Sequence, residues 1–275
     1  MAVAIITGSG TYALPDFEAG AAHDVETPYG PALVTAGAFA GTDVLHVSRH
    51  GEGHARLSNH VNHRANVWAL RELGAAAVIG CTACGAVDRQ VSLGGLIVFD
   101  DLHFISNRLP DGSLCTLFGE AGHRDRGHWI IGPPFSAGLR EALRDGAKRA
   151  GIHVHGDGGV YGHVDGPRFN TVTEIRQLAQ AGVTAVSQTG GPEAVLCGEA
   201  ELPYALMGYA TDYANGVIPE PTPVAELLRL MGESTGTFAA VLAATLPVLD
   251  TATLTPPGTV FRFEAWARRP RPRRS

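Results

Sequence analysis

The sequence predicts a single α/β domain, a mostly parallel or mixed sheet with helices on both faces. Three observations lead there. Short apolar runs of strand length alternate with longer segments of helical periodicity. The 275 residues fit one large domain or two small ones, and no linker or internal repeat interrupts the alternation before residue 250. At 45% hydrophobic and 17% charged, the chain can bury a sizeable core. Residues 1–250 are thus expected to form the domain, and 251–275 an extension with a disordered Arg/Pro-rich end.

Val3–Ile6 reads as the first buried strand. It is too short, and lacks the basic flank, to be a signal sequence. No apolar run reaches the roughly 20 residues that span a bilayer, so no membrane partner and a cytoplasmic location are expected. The loop after it, Thr7-Gly8-Ser9-Gly10-Thr11-Tyr12-Ala13, nominally fits a dinucleotide fingerprint. Pro15 follows too closely for a long helix, so a small anion held by Ser9 and glycine N–H groups fits better.

Asp43–Val47 is the next strand, and Arg49-His50-Gly51-Glu52-Gly53-His54 leaves it. Arg49 offers a fixed fork of donors for phosphate. His46, His50, His54, His60 and His63 tempt a metal reading. Gly51 and Gly53 break helical periodicity, and no H-E-x-x-H spacing exists, so no metal is expected. A helix over His63–Leu73 leads to the strand Ala77–Gly80 and the turn Cys81-Thr82-Ala83-Cys84-Gly85. Cys81 and Cys84 have neither a second ligand pair nor a thioredoxin-like setting, and read as buried or loop thiols.

Gly95–Phe99 is a strand, Ala137–Ala150 a helix and Gly158–Tyr161 a strand. Gly166-Pro167-Arg168-Phe169 then opens the helix Thr171–Ala181, where Thr171 and Glu174 fit a capping box. The strand Ala185–Gln188 ends in Thr189-Gly190-Gly191. Pro192-Glu193 puts a proline and an acid in the first turn of the helix Gly191–Ala200. Tyr204–Ala210 is a strand ending in Thr211-Asp212-Tyr213, and Pro223–Thr245 is the last long helix.

Net charge is −6, and the final segment Arg268-Arg269-Pro270-Arg271-Pro272-Arg273-Arg274 holds five arginines; without them the chain stands at −11. An acidic body argues against a nucleic-acid partner. Ligands in open α/β sheets bind beyond the carboxyl ends of strands. Ser9, Arg49, Thr82 and Thr189 all leave strand ends; singly each fits a turn or a helix cap, and together they fit an inorganic phosphate cradle. Asp212 closes an apolar strand, where an unpaired buried carboxylate costs several kcal/mol. One reading is a surface or capping Asp. The other pairs it with the N6 and N7 edge of a purine, where it aids departure of the base as a general acid.

The chain resembles the purine nucleoside phosphorylase family, most closely its 5′-methylthioadenosine phosphorylase branch. The likeness runs from Ile5 to Leu246. It rests on Gly8-Ser9-Gly10, Thr27-Pro28-Tyr29-Gly30, Arg49-His50-Gly51, Val61-Asn62, Arg64-Ala65-Asn66-Val67-Trp68-Ala69-Leu70, Thr82-Ala83-Cys84-Gly85, Gly166-Pro167-Arg168-Phe169, Pro192-Glu193 and Ala210-Thr211-Asp212-Tyr213.

The resemblance implies a twisted, partly barrel-like mixed sheet. It implies a phosphate site of Ser9, Arg49, His50, Thr82 and Thr189 with the Ala83 backbone. Phe169 would face the purine, His54 would lie near phosphate and ribose, and Asp212 stands where adenine-specific members carry Asp. It implies a homotrimer in which His128 of a neighbour borders the 5′ group, beside an apolar wall of Val224, Leu227 and Leu228. No cofactor is implied beyond phosphate as co-substrate. Three positions depart from the pattern: Gln188 replaces a ribose-supporting Met, Ala214 replaces a second acid, and Asn170 stands where 6-oxopurine enzymes usually carry Glu.

The implied reaction is phosphorolysis of a 6-aminopurine nucleoside, 5′-methylthioadenosine first, giving adenine and a sugar 1-phosphate. The alternatives are broader or 6-oxopurine specificity (methylthioinosine, inosine), a hydrolytic nucleosidase, and a non-catalytic nucleoside-binding protein.

Overall fold

The computed structural model describes residues 2–11, 13–123 and 125–262; the arginine-rich tail lies outside the described residues. Twelve strands form in chain order. They are β1 (Val3–Thr7), β2 (Glu18–Thr27), β3 (Gly30–Phe39), β4 (Thr42–Ser48), β5 (Ala77–Ala86), β6 (Leu96–Val98), β7 (Asp101–His103), β8 (Gly127–Ile130), β9 (Val160–His163), β10 (Ala185–Ser187), β11 (Tyr204–Tyr213) and β12 (Thr259–Arg262). Five helices join them: α1 (His63–Glu72), α2 (Ala137–Arg149), α3 (Val172–Gln180), α4 (Gly190–Glu199) and α5 (Val224–Thr245).

All but β8 and β12 belong to one mixed ten-stranded sheet, ordered β2-β3-β4-β1-β5-β10-β9-β7, with β11 joining β5 to β6. The predicted mixed sheet flanked by helices is what forms. Residue alternation shows why both faces are covered. Ala4 and Ile6 of β1 pack in a cluster with Leu70 of α1 and Leu196 of α4. Val3 and Ile5 face the other way, onto Leu139 of α2 and Phe238 of α5.

Every strand read from apolar runs is present, with ends shifted by a few residues. The β2–β3 hairpin was not legible. Its sequence is rich in Ala, Gly and charged residues, β2 is largely exposed, and its strand character comes from pairing along β3. Part of the expected extension belongs to the fold, since β12 pairs antiparallel with β8.

The feature that positions the site is a fork at β5. Its first half pairs parallel with β1, from Val3 opposite Ala77 to Ile6 opposite Gly80. Its end pairs antiparallel with β10, Gly85 opposite Val186. β11 runs along the whole of β5 on the other edge. Residues Cys81–Cys84 therefore lie between two diverging strands, and a hollow opens there.

Candidate active site

A cavity of about 310 Å³ fills the fork, at the lower end of the usual range for small-molecule sites. Of the residues expected at the anion end, Ser9, His50, Thr82, Ala83 and Thr189 line it. Ser9 comes from the loop after β1, Thr82 and Ala83 from β5, and Thr189 from the turn before α4. Thr82 Oγ1 donates to the Ala83 carbonyl at 3.0 Å and shares a 2.8 Å hydrogen bond with the Ser187 hydroxyl. Thr189 precedes α4, but its side chain makes no capping bond. The phenol oxygen of Tyr161 takes the capping role, accepting from Thr189 N at 3.4 Å and Gly190 N at 2.9 Å.

His50 is buried, its Nδ1 2.8 Å from the Arg56 carbonyl, and its ring stacks on His54 at 4.3 Å. Burial, with Arg49 nearby, pushes its pKa down to about 4. It is neutral at pH 7, a hydrogen-bonding group and not a cation.

Arg49, also expected there, stands apart from the lining. It does not line the cavity; it is 1% exposed, behind the wall. Its guanidinium pairs with Glu193, Nε to Oε1 at 2.7 Å and Nη2 to Oε2 at 3.0 Å. It also donates to the Cys81 carbonyl at 2.8 Å and to the Ile6 carbonyl at 3.3 Å. No Lys or Arg lines the cavity among the described residues. The end expected to hold the anion is lined by hydroxyls, backbone and a neutral imidazole.

The other end holds Phe169, Asn170, Gln188, His54 and Asp212, all lining the cavity as expected. Phe169 is 62% exposed, a ring laid at the mouth. Asn170 is tied to α3 through Glu174 Oε2 at 3.2 Å. Asp212 is aimed by a register shift between Ala210 and Asp212 opposite Cys84 and Gly85. Thr211 Oγ1 donates to its Oδ1 at 2.9 Å. A β-carbon on Gly85 would stand 3.2 Å from its other oxygen, so the glycine leaves the carboxyl room. Burial raises the Asp212 pKa and favours the protonated form.

Of the 5′ residues, Leu227 lines the cavity, Val224 is 72% exposed outside it, and Leu228 is also exposed. His128 lies on β8 and lines a separate hollow with Phe104 and Trp129, so within one chain it belongs to another surface. Ser58, Ser187, Asn215 and Met231 line the cavity without having been expected. Met231 stands one helical turn after Leu227, a spacing that the sequence displayed. The other three carried no motif. Among the described residues no three His, Cys, Asp or Glu are grouped to hold a metal. No helix there is long and apolar enough to cross a membrane.

The fold and the cavity define an α/β protein with a small-molecule site at the ends of its central strands. Residues 2–247 match the model of the phosphorylase superfamily, and the chain belongs to that superfamily, among its nucleoside phosphorylases, enzymes of the pentosyltransferase type. It is 34% identical over 244 residues to the probable 6-oxopurine nucleoside phosphorylase of Thermococcus kodakarensis, covering 87% of this chain and 90% of that one. It is 33% identical over 248 residues to the S-methyl-5′-thioadenosine phosphorylase of Thermofilum pendens, covering 89% and 91%. The methylthioadenosine phosphorylase of Schistosoma mansoni, solved with adenine, superposes with a TM-score of 0.80 at 26% identity, covering 90% of this chain and 91% of that one.

Proposed function

We propose that this protein cleaves the N-glycosidic bond of a purine nucleoside with inorganic phosphate, giving the free base and a sugar 1-phosphate. One observation carries the reading: a single cavity joins a hydroxyl-rich end at Ser9, Thr82 and Thr189 to a buried carboxyl at Asp212. A phosphate oxygen attacks the anomeric carbon, the C–N bond electrons pass to the purine, and a proton at N7 neutralises the departing base.

Asp212 supports a 6-aminopurine. Its carboxyl accepts from N6–H of adenine and, when it carries a proton, donates to N7. A 6-oxopurine offers acceptors at both places, and one carboxyl proton satisfies only one of them. Leu227 and Met231 support an apolar 5′ substituent, and 5′-methylthioadenosine is the first candidate. The second reading, a 6-oxopurine nucleoside, draws on Asn215, which lines the same cavity and whose Nδ2, donating one hydrogen to the Asn170 carbonyl at 2.6 Å, keeps a second for O6; 6-oxopurine enzymes also stand among the relatives.

The test is a rate screen over adenosine, inosine, 5′-methylthioadenosine and 5′-methylthioinosine, with and without phosphate. The reading expects phosphate-dependent release of adenine, fastest from 5′-methylthioadenosine. Equal rates in phosphate-free buffer would overturn phosphorolysis in favour of hydrolysis. No organic cofactor or metal is required by this chemistry, so activity should survive chelator. We further propose a homotrimer in which His128 of a neighbour approaches the 5′ end; a fully active monomer in sedimentation would refute it.

A further inference from the structure

We propose that Thr235 of α5 is a positioning residue for the anion end: its hydroxyl holds the turn after β1 in the conformation that presents Ser9 to the cavity. The inference rests on the phosphorolytic reading above.

Ser9 lines the cavity from a turn over residues 8–11, closed by the Thr11 N–H donating to the Gly8 carbonyl at 3.1 Å. Among the described residues nothing hydrogen-bonds the Ser9 hydroxyl, so the backbone of the turn sets its place. The far side of that turn is held by α5. Thr235 Oγ1 donates to the Gly10 carbonyl at 2.7 Å and lies 3.1 Å from Thr11 Oγ1. A hydroxyl carries one hydrogen, and here the carbonyl takes it, so Thr11 is the donor in the second bond. One side chain, 225 positions from Gly10, thus grips both residues that follow Ser9.

The turn also sits directly on the helix backbone. Gly10 has φ +84°, in the left-handed region, and a β-carbon there would stand 2.5 Å from the Met231 carbonyl oxygen. That carbonyl accepts from Ser234 Oγ at 2.7 Å, and Ser234 is fully buried. The helix beneath is a firm support, because Leu230, Phe238 and Val241 pack in one core cluster with Ile5 of β1 and Met207 of β11. Donors placed in advance bind an anion with less ordering cost. Met231 lines the cavity one helical turn before Thr235. α5 therefore serves the nucleoside end through Met231 and the anion end through Thr235.

The test is steady-state kinetics on the intact enzyme, with phosphate and nucleoside varied separately. Thr235→Val keeps the shape and removes the hydroxyl, which leaves the Gly10 carbonyl and the Thr11 hydroxyl without this partner. The phosphate KM should rise roughly threefold to tenfold, the loss typical of one or two neutral hydrogen bonds. The nucleoside KM should move much less, which a general loss of structure would not reproduce. Thr235→Ser keeps the hydroxyl and should restore the phosphate KM to near wild type. In a Ser9→Ala background, Thr235→Val should change the phosphate KM by less than about twofold, since it acts through Ser9. A wild-type phosphate KM in Thr235→Val, an equal rise in both KM values, or an undiminished effect in the Ser9→Ala background overturns the proposal. Should Thr235→Val not fold, Thr235→Ser and Thr235→Ala replace it. A phosphate KM near wild type in the first and raised in the second supports positioning, and any other order overturns it. A wild-type rate independent of phosphate removes the underlying functional reading, and is seen before any variant is made.

Discussion

The amide oxygen of Gln188 accepts a hydrogen bond from the Ser58 hydroxyl at 2.7 Å. At its other end Nε2 donates to the Arg168 carbonyl at 3.1 Å. Gln188 thus ties the Ser58–His60 turn to the Gly166–Phe169 turn across the cavity. A β-carbon on Gly166 would collide with both Gln188 and Ser58, so the clasp depends on that glycine. Gln188→Leu removes both bonds. At about 1 kcal/mol for a typical neutral hydrogen bond, nucleoside kcat/KM should fall by roughly tenfold or more, with phosphate KM close to wild type. Ser58→Ala should lose less. Equal losses for both substrates would place Gln188 in general folding and not at the nucleoside end.

Asp212→Asn should shift preference toward inosine-type bases, because its amide N–H can donate to O6 where the carboxyl accepts from N6. A buried polar mismatch is worth about 1–3 kcal/mol, so the adenosine-to-inosine ratio of kcat/KM should change roughly ten- to a hundred-fold. An unchanged ratio means that Asp212 does not read the base edge.

The same carboxyl predicts a pH limb. Burial raises its pKa, so the protonated donor persists above the ordinary Asp range and is lost as pH rises through the raised value. Wild-type kcat/KM should decline on that alkaline side, and Asp212→Asn should lack the decline. A limb of identical position in the variant would assign it to another group.

Acid should destabilise the fold through its buried histidines. Burial depresses His46 and His50 to about 4 and His163 to about 3, against about 6.5 in an unfolded chain. Folding favours their neutral forms. Their contribution is fully present above pH 6.5 and is lost as pH falls toward 4. Each adds a slope of up to about 1.4 kcal/mol per pH unit in that window. Denaturant midpoints at successive pH values should show it, and His46→Gln, which keeps a partner for Thr7 Oγ1, should reduce the slope. A midpoint flat from pH 7 to 4 would contradict it.

Gly8→Ala should be severe although Gly8 needs no left-handed backbone. Its new methyl would meet Arg49 Nη1 and stand 3.2 Å from the Cys81 carbonyl. Overpacking of this kind typically costs about 1–3 kcal/mol. A lower melting temperature together with a raised phosphate KM is expected. A variant like wild type in both would show that the β1 loop yields freely.

The sequence by itself determined the strands and helices whose burial writes a period into the chain. Val3–Ile6, Tyr204–Ala210 and the Thr171 capping box are of this kind, because their signals are local: apolar runs and short-range hydrogen bonds. It also determined which chemical groups could gather at strand ends. Tertiary structure decided which of them face the cavity. Arg49 reads as an anion ligand from its neighbours in sequence, and its pairing with Glu193, 144 positions away, has no local signal. Ser58 and Ser187 carry no local signal and enter the site only through the β5 fork and the Gln188 clasp. A side chain's direction and charge state follow from burial and from partners distant along the chain, and no local pattern encodes those distances.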